Sequence, residues 1–449
     1  RTLEREGSVK YEVLAFVDDN THKAGKRLEG VLIHPSERLP ALLEGEAVDQ
    51  LIIAIGKPDP ENRRRVVDAC IAAKVRVLTV PPVHDWINGQ LSAGQIQEVR
   101  IEDLLGRPVI QLEQAAVRAL LAGKRVLVTG AAGSIGSELV RQLADMDVAQ
   151  LTLVDIAESG LYDVQMELHG KGRAANLAVL VADVRDRTRM QEVFAAQRPQ
   201  VVFHAAAYKH VPLMEAQPSE AVHTNVGGTR IVAELAAELG VERFVLISTD
   251  KAVNPTSVMG ASKRVAEMVV GAIAKEGTTA FITTRFGNVL GSSGSVIPLF
   301  RKQIAAGGPV TVTHHEVNRF FMTIPEACRL VLEAAAMGKG GEIFVFDMGE
   351  PVRIADLADK MIRLSGKEPG VDISIVYTGL RPGEKLYEEL LATSENTLPT
   401  HHPRILIGRV AAVEADVPAQ VDRLLELPST DMVPAMQRLI PEYAPALHA

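Results

Sequence analysis

A hydroxyl, an acid and an amine stand together in the run Ser248-Thr249-Asp250-Lys251, and a second amine follows at Lys263. A carboxyl group can give a proton to a leaving group and an uncharged amine can take one, so the run indicates proton-transfer chemistry. The apolar stretch before it predicts a buried strand, which places the run at the carboxyl end of that strand. Open α/β sheets hold their reacting groups at this edge. The helical pattern that begins at Lys263 is expected to carry the second amine over the same edge.

A glycine-rich segment earlier in the chain predicts a dinucleotide-binding loop. A strand pattern at 125–129 leads directly into the glycines of 130–136, a helical pattern follows, and the next strand ends in Asp155. Glycines permit a tight turn and close approach to a pyrophosphate, while a helix N-terminus offers unpaired N–H groups. A carboxylate at Asp155 can bind ribose hydroxyls and would repel a 2′-phosphate, which favours NAD over NADP.

Strand and helix patterns alternate along the chain, and 449 residues are enough for two or three domains. We predict an α/β fold with a small α/β domain at 1–108, a linker helix at 109–124 and a Rossmann-like doubly wound parallel sheet within 125–449. A small C-terminal substrate-binding subdomain is expected mainly from 288–320 and 350–410. No glycine loop precedes the first acidic-ended strand, so the first domain is expected to be structural or regulatory.

The composition argues against several functional classes. Apolar residues at 47% and charged residues at 23% are typical of a soluble globular protein, and a net charge of −8 gives no sign of nucleic-acid binding. Cys70 and Cys328 lie in apolar helical contexts and are expected to be buried free thiols. No run approaches the roughly 20 apolar residues of a membrane helix, and no signal peptide is visible. Because the chain begins at Arg1, we expect a soluble cytoplasmic fragment of a longer protein.

Several polar residues allow two interpretations from sequence alone. Asp183 can bind the adenine amine or cap the helix that follows it. Asn225 lies among small residues in a helical stretch, where it can position a ligand or water, or serve as a hydrogen-bonded structural residue. The histidine pairs at 314–315 and 401–402 are expected to lack carboxylate or cysteine partners at ligand spacing, so we predict no metal.

The glycine loop, Asp155 and Lys263 together resemble an extended short-chain dehydrogenase/reductase. In that superfamily a tyrosine normally stands four residues before the helix lysine, and here that position is Met259. The segments 248–252 and 285–296, with Met259, are similar to a narrower group. These are the membrane-associated UDP-sugar 4,6-dehydratases of bacterial polysaccharide and glycan synthesis, the polysaccharide biosynthesis protein family. The resemblance covers nearly the whole chain.

The resemblance implies an NAD-dependent lyase that converts a UDP-N-acetylhexosamine, with UDP-N-acetylglucosamine as first candidate, to a UDP-4-keto-6-deoxy sugar. It implies a location at the cytoplasmic face of the bacterial inner membrane, with membrane contact only through segments absent from this chain. A homodimer or higher homo-oligomer is expected, with two helices of the NAD domain at the interface. The alternatives are a nucleotide-sugar 4-epimerase, which Met259 argues against, and a non-catalytic NAD-binding regulatory protein, which the Asp250-Lys251 pair argues against.

The resemblance also assigns roles at the catalytic run. Lys251 is the expected C5 base, Asp250 the expected acid for the C6 hydroxyl, and Thr249 the partner of the C4 oxygen. Lys263 is expected to hold the nicotinamide ribose. These roles require a raised pKa at Asp250 and a lowered pKa at Lys251, so we expect a partly buried pair that is not a simple salt bridge. Met259 cannot transfer a proton, which leaves Asp250, Lys251 or a water held by Thr249 to accept the C4 hydroxyl proton.

The remaining predicted contacts follow from the same resemblance. The cofactor is expected to contact Gly130, Ala132, Gly133, Ser134, Ile135, Gly136, Asp155, Asp183, Val184, Ala205, Ala206, Ala207 and Lys263. The substrate is expected to contact Lys209, Asn225, Asn288, Val296, Arg301, Thr311, Arg319, Arg353, Arg381 and Glu384. Arginines suit the diphosphate because a guanidinium binds phosphate oxygens in a bidentate manner.

Overall fold

The structure is a computed structural model that describes residues 12–55, 59–80, 96–99, 114–275, 277–389, 397–408 and 416–446. Its first unit comprises Arg1–Val109, Leu299–Val312 and Ala355–Tyr377, and its second comprises Ile110–Pro298, Thr313–Ile354 and Thr378–Ala449. Much of the predicted substrate subdomain therefore belongs to the unit that contains the N-terminal residues.

Three small sheets make up the strands of the first unit over its described residues. Phe16–Asp18 pairs in parallel with Val31–Pro35, which also pairs with Arg27–Leu28. Gln50–Ile53 pairs in parallel with Arg76–Thr79, which also pairs with Gln97–Glu98. Val310–Val312 pairs with Ile375–Tyr377. The helices here are Leu39–Gly45, Pro60–Ala72 and parts of Val296–Ala305 and Ile354–Leu364. The strands of the predicted small α/β domain thus lie in separate sheets. The expected lack of a glycine loop concerns residues up to 11, which lie outside the described residues.

The second unit is built on a twisted sheet whose parallel strands carry the predicted nucleotide loop and catalytic run. Its described strands lie in the order Thr397–Pro399, Ile405–Gly408, Ile343–Phe346, Ala280–Arg285, Arg243–Ile247, Val201–His204, Arg125–Thr129, Gln150–Asp155 and Leu177–Val181. Those from Ile343–Phe346 onward are parallel, and the first two are antiparallel. Chain order reverses between Arg125–Thr129 and Val201–His204. This is the switch point at which such sheets bind dinucleotides, and the α/β prediction is confirmed.

Strand residues alternate between two apolar layers, and helices cover both. Val126 and Val128 pack in one layer and Leu127 in the other. Because each strand is buried on both faces, the strands are continuously apolar, as expected for a parallel sheet. The helices of this unit are Gln114–Leu121, Ser134–Leu143, Glu158–Gly170, Arg187–Gln197, Val211–Ala216, Pro218–Ala221, Thr229–Glu238, Val258–Ile273, Ile324–Met337, Val417–Glu426 and Ser429–Leu439, with a π-helical segment at Val222–Gly228.

The last two helices pack on the helix Val258–Ile273. Val421 and Met432 from these helices lie in one buried cluster with Met259 and Val265 of that helix. Part of its apolar face is therefore covered by its own chain, and the expected dimer interface through two helices of the NAD domain stays a prediction. Within the described residues, no helix has the length and apolar character needed to cross a membrane.

Candidate active site

The glycine loop forms a tight turn at the end of the strand Arg125–Thr129. Gly130 has a φ of 67°, and a Cβ there would lie 2.5 Å from the backbone nitrogen of Ala206. A Cβ on Gly136 would lie 2.0 Å from the carbonyl oxygen of Gly130. No side chain caps the helix Ser134–Leu143, whose N-terminal N–H groups are therefore left for another acceptor. The loop and helix end fit a bound pyrophosphate.

Asp155 lies at the end of the neighbouring strand and contacts this loop directly. Its Oδ2 accepts a hydrogen bond from the backbone N–H of Ala132 at 2.9 Å, and its Oδ1 accepts one from Ala157 at 2.9 Å. Each carboxylate oxygen can accept a further hydrogen bond. The acid is thus held beside the glycine loop with acceptor capacity for a ribose.

Asp183 does not cap the following helix. Asp186 is the cap, and its side chain accepts a hydrogen bond from the N–H of Arg189. The Asp183 carboxylate instead forms an ion pair with Arg185 at 2.7 Å. Burial raises the pKa of Asp183, but the Arg185 contacts outweigh it and hold the pKa below its usual value. Val184 is buried against Gly228, where an added Cβ would lie 2.7 Å from its Cγ2.

Asn225 serves inside the protein rather than at a ligand. Its Oδ1 accepts a hydrogen bond from the N–H of Tyr208 at 2.8 Å. Its Nδ2 donates to the Tyr208 carbonyl at 3.0 Å and to the Ser262 hydroxyl at 2.9 Å. The side chain is fully buried, which favours the structural interpretation, while the expected substrate contact stays a prediction. It holds the segment after Ala205, Ala206 and Ala207 against the helix that carries Lys263.

The helix Val258–Ile273 packs closely on the catalytic run. Ser257 caps it by accepting a hydrogen bond from the N–H of Gly260. A Cβ at Gly260 would lie only 2.2 Å from the carbonyl oxygen of Lys251, so glycine permits this approach. The helix thereby places Lys263 at the sheet edge, 4% exposed, and its burial lowers the pKa of its amine to about 8 despite the charge of Glu267.

The predicted acid and amine lie together at the end of the strand Arg243–Ile247. Lys251 Nζ lies 3.0 Å from Asp250 Oδ1 and 3.1 Å from Asn288 Oδ1. The Thr249 hydroxyl donates to Asp250 Oδ1 at 2.8 Å. Asp250 Oδ2 is buried and has no hydrogen-bonding partner among the described residues. It points toward Gly287, where an added Cβ would lie 3.0 Å away.

A second carboxylate reaches the same amine and was not predicted. Glu388 Oε1 lies 3.2 Å from Lys251 Nζ and 3.5 Å from Arg319 Nε. Burial raises the pKa of Asp250, and the charge of Glu388 adds to this effect, as the chemistry requires. Burial lowers the pKa of Lys251, but the two carboxylates outweigh it and raise the pKa. The expected lowering at Lys251 is therefore wrong, because Glu388, which is distant in the chain, adds a second negative charge beside the amine.

The serine of the run is part of a separate buried network that was also missed. The Ser248 hydroxyl donates to Glu267 Oε1 at 2.6 Å, and Arg285 Nε donates to the same oxygen at 2.7 Å. Glu267 follows Lys263 by one helical turn, and this spacing is the sequence signal that could have identified it. On the other side of the site, His204 bridges Thr129 at 2.7 Å and Thr229 at 3.0 Å.

Met259 is 3% exposed and packs in the apolar cluster beneath the C-terminal helices. Its thioether makes no contact that would move a proton, so it belongs to the core. The tyrosine position of the superfamily is thus filled by a packing residue, in agreement with the expectation that Met259 transfers no proton.

The predicted substrate residues have different surroundings in the structure. Asn288 joins the catalytic cluster through Lys251. Arg319 forms ion pairs with Glu384 at 3.2 Å and with Glu388 at 3.5 Å, and its expected diphosphate contact stays a prediction. Arg301 and Thr311 lie in the first unit, where Thr311 hydrogen-bonds Gln303. Lys209, Arg353 and Arg381 are exposed, and Val296 begins a helix.

Carboxylates lie near both histidine pairs, against expectation, since His401 Nε2 is 3.8 Å from Glu333 Oε1 and Glu316 adjoins the other pair. Ligand atoms of His314, His315 and Glu316 lie within 4.8 Å of one another. His315 and Glu316 are exposed. The His314 Nδ1 already accepts a hydrogen bond from the N–H of Glu316 at 3.1 Å, which explains the cluster as a local turn.

The chain is similar in sequence to several known proteins. The polysaccharide biosynthesis protein family matches residues 126–410. The chain is 44% identical over 432 residues to the capsular polysaccharide biosynthesis protein CapD of Staphylococcus aureus, covering 95% of this chain and 71% of that protein. It is 35% identical over 283 residues to a UDP-glucose 4-epimerase of Rickettsia canadensis, covering 62% and 80%. It is 32% identical over 280 residues to an inverting UDP-N-acetylglucosamine 4,6-dehydratase of Campylobacter jejuni, also covering 62% and 80%.

The fold is shared with solved nucleotide-sugar enzymes. A dTDP-glucose 4,6-dehydratase, DesIV of Streptomyces venezuelae, was solved with NAD bound and superimposes with a TM-score of 0.54 at 25% identity, covering 59% of this chain and 88% of that one. The glycine loop at a sheet switch point and the extent of these similarities lead to one conclusion. The chain belongs to the polysaccharide biosynthesis protein family of extended short-chain dehydrogenase/reductases.

Proposed function

We propose that the protein uses NAD to remove water from a UDP-N-acetylhexosamine, with UDP-N-acetylglucosamine as first candidate, and yields a UDP-4-keto-6-deoxy sugar. The observation that carries the proposal is the buried carboxyl of Asp250 beside the amine of Lys251. Its raised pKa and unpartnered Oδ2 suit a carboxyl that holds a proton at neutral pH. A dehydratase needs such an acid at the departing hydroxyl.

NAD, when bound, supplies the chemistry of taking a hydride from C4 and returning it to C6. The loop at Gly130 and the uncapped helix at Ser134 would hold its pyrophosphate. Asp155 would hold the adenosine ribose. Lys263, whose amine has no hydrogen bond to another described residue, would hold the nicotinamide ribose. The fit rests on a cradle whose glycines admit no side chain.

The geometry of the catalytic run supports the roles that the family resemblance implies. Asp250 would donate its proton to the C6 oxygen as the C6–O bond breaks, and Lys251 would take the C5 proton. Thr249 would orient the C4 oxygen, since its hydroxyl already bonds Asp250. A protonated Asp250 cannot also accept the C4 hydroxyl proton, so Lys251 or a water held by Thr249 would take the proton that Met259 cannot accept.

The first test is incubation with UDP-N-acetylglucosamine and NAD, followed by mass spectrometry and proton NMR. Loss of one water, with no net accumulation of reduced cofactor, supports the proposal. The NMR spectrum identifies the C5 configuration. An unchanged mass with exchanged C4 configuration would refute dehydration and establish a 4-epimerase, the activity named for the Rickettsia relative.

Two substitutions test the assigned roles. Asp250→Asn and Lys251→Ala should each lower kcat by at least about 10²-fold, because each removes a proton-transfer group. NAD binding, measured by fluorescence titration, should remain. Wild-type rates in both variants would contradict the mechanism and favour a non-catalytic protein.

Location and assembly are proposed on the family resemblance alone. We propose that the protein acts at the cytoplasmic face of the inner membrane and forms a homo-oligomer. The interface is proposed to lie at two helices of the NAD domain. Light scattering of the purified chain measures its mass in solution.

A further inference from the structure

Two carboxylates share a single ammonium in the candidate active site. Lys251 Nζ has acceptors at 3.0 Å in Asp250, 3.1 Å in Asn288 and 3.2 Å in Glu388. An ammonium has three N–H bonds, so these acceptors satisfy all of them. All three carboxylate and amine side chains are mostly buried, with 2%, 4% and 19% exposure for Asp250, Glu388 and Lys251. The ammonium of Lys251 alone cannot neutralise both buried carboxylates, so the carboxylate that lacks a further cation is expected to hold a proton.

The surroundings of the two carboxylates differ in charge. Glu388 faces the guanidinium of Arg319 at 3.5 Å as well as Lys251. Asp250 has no second cation within ion-pair distance among the described residues, and its Oδ2 is buried without a hydrogen-bonding partner. A buried oxygen without a donor is costly when it is charged and much less so when it carries a proton. The negative charge therefore belongs on Glu388.

We propose that Glu388 is the counter-ion of Lys251 and Arg319, and that it thereby leaves Asp250 protonated as the acid of the reaction. Glu388 acts through Lys251 and is a positioning residue. The inference rests on the proposed dehydration for its role in turnover. Its statement about protonation concerns the resting protein.

The assignment closes the proton balance of the elimination. During turnover Lys251 passes one proton to Glu388 across 3.2 Å, against the resting preference for an ammonium and a carboxylate, and this leaves an uncharged amine. That amine takes the C5 proton, the C5–H electron pair forms the C5=C6 bond, and the C6–O bond breaks. Asp250 gives its proton to the departing oxygen, which leaves as water. Afterwards Lys251 is an ammonium, Asp250 a carboxylate and Glu388 a neutral acid.

The electrostatic surroundings support the same division. Burial raises the pKa of Glu388, but the charges of Lys251 and Arg319 outweigh it and hold the pKa below its usual value, with a smaller contribution from Lys385. At Asp250, burial and the charge of Glu388 raise the pKa over the opposing effect of Lys251. Glu384 contacts Arg319 at 3.2 Å, and this guanidinium links it to the group around Lys251.

The direct test is infrared spectroscopy of the substrate-free protein. A protonated carboxyl has a C=O stretch distinct from that of a carboxylate, and Asp250→Asn identifies the band of Asp250. We expect this band at neutral pH in the wild type and in the control Glu389→Gln, which changes the exposed neighbouring acid. It should disappear in Glu388→Gln, because Asp250 must then become the counter-ion of Lys251. Absence of the band from the wild type, or its survival in Glu388→Gln, would overturn the proposal.

A kinetic test adds a second readout. In Glu388→Gln the high-pH limb of kcat should move to lower pH by about one unit or more, because Asp250 loses the like charge that raises its pKa. KM should stay within about threefold, and Glu388→Asp should restore most of the wild-type profile. A pH-independent loss that Glu388→Asp shares would indicate a merely structural role. If the wild-type protein releases no water, the proposed dehydration fails, while the infrared result still decides the role of Glu388.

Discussion

Gly260→Ala tests whether close packing of the helix Val258–Ile273 on the catalytic run positions the reacting groups. The added Cβ would lie 2.2 Å from the carbonyl oxygen of Lys251, and real Cβ contacts are essentially never shorter than 3.0 Å. The helix and the run must therefore separate by at least about 0.8 Å. The obstacle is backbone and cannot rotate away, so we expect a loss of about 1–3 kcal/mol in the free energy of unfolding.

The same displacement should lower activity more than stability. A misplacement of about 1 Å between reacting groups costs roughly 10²-fold in rate, and this shift moves Lys251 relative to Lys263. Denaturant unfolding and kcat measurements on the purified variant report the two effects separately. Gly170→Ala is the matched control, because a Cβ at this exposed helix end meets nothing within 4 Å. Equal stability and equal kcat in the two variants would refute the reasoning.

Two further predictions concern buried polar groups. The Lys263 amine is charged below its pKa of about 8 and neutral above it, so NAD affinity in a fluorescence titration should fall as pH rises through 8. The unfolded lysine has a pKa near 10.5, so between pH 8 and 10.5 the unfolded chain binds more protons than the folded protein. The free energy of unfolding should therefore rise with pH in this range by up to about 3 kcal/mol. Lys263→Met should lose this rise, and an unchanged slope would contradict the assignment. Asn225→Ala leaves the N–H and carbonyl of Tyr208 without their partner and should cost about 1–3 kcal/mol in denaturant unfolding, whereas the outcome expected of a ligand contact is weaker substrate binding with unchanged stability.

Local order along the chain was enough to predict the nucleotide half of the site. Strand, glycine loop, helix and acidic-ended strand are consecutive, so the turn at Gly130 and the approach of Asp155 to Ala132 follow from neighbours in sequence. The run at Asp250 and Lys251 was predictable for the same reason, since both residues follow a buried strand. The prediction was weaker where two interpretations used the same local pattern, as at Asp183 and Asn225.

The sequence by itself determined the α/β class, the switch-point loop and the pairing of an acid with an amine at one strand end. Each of these depends on apolar periodicity or on residues adjacent in the chain. Only the tertiary structure decided that Glu388 and Arg319 reach Lys251 from a distant segment. A pKa depends on burial and on charges within a few ångströms, and these follow from chain folding rather than from spacing. That is why the direction of the shift at Asp250 was predicted correctly and the direction at Lys251 was not.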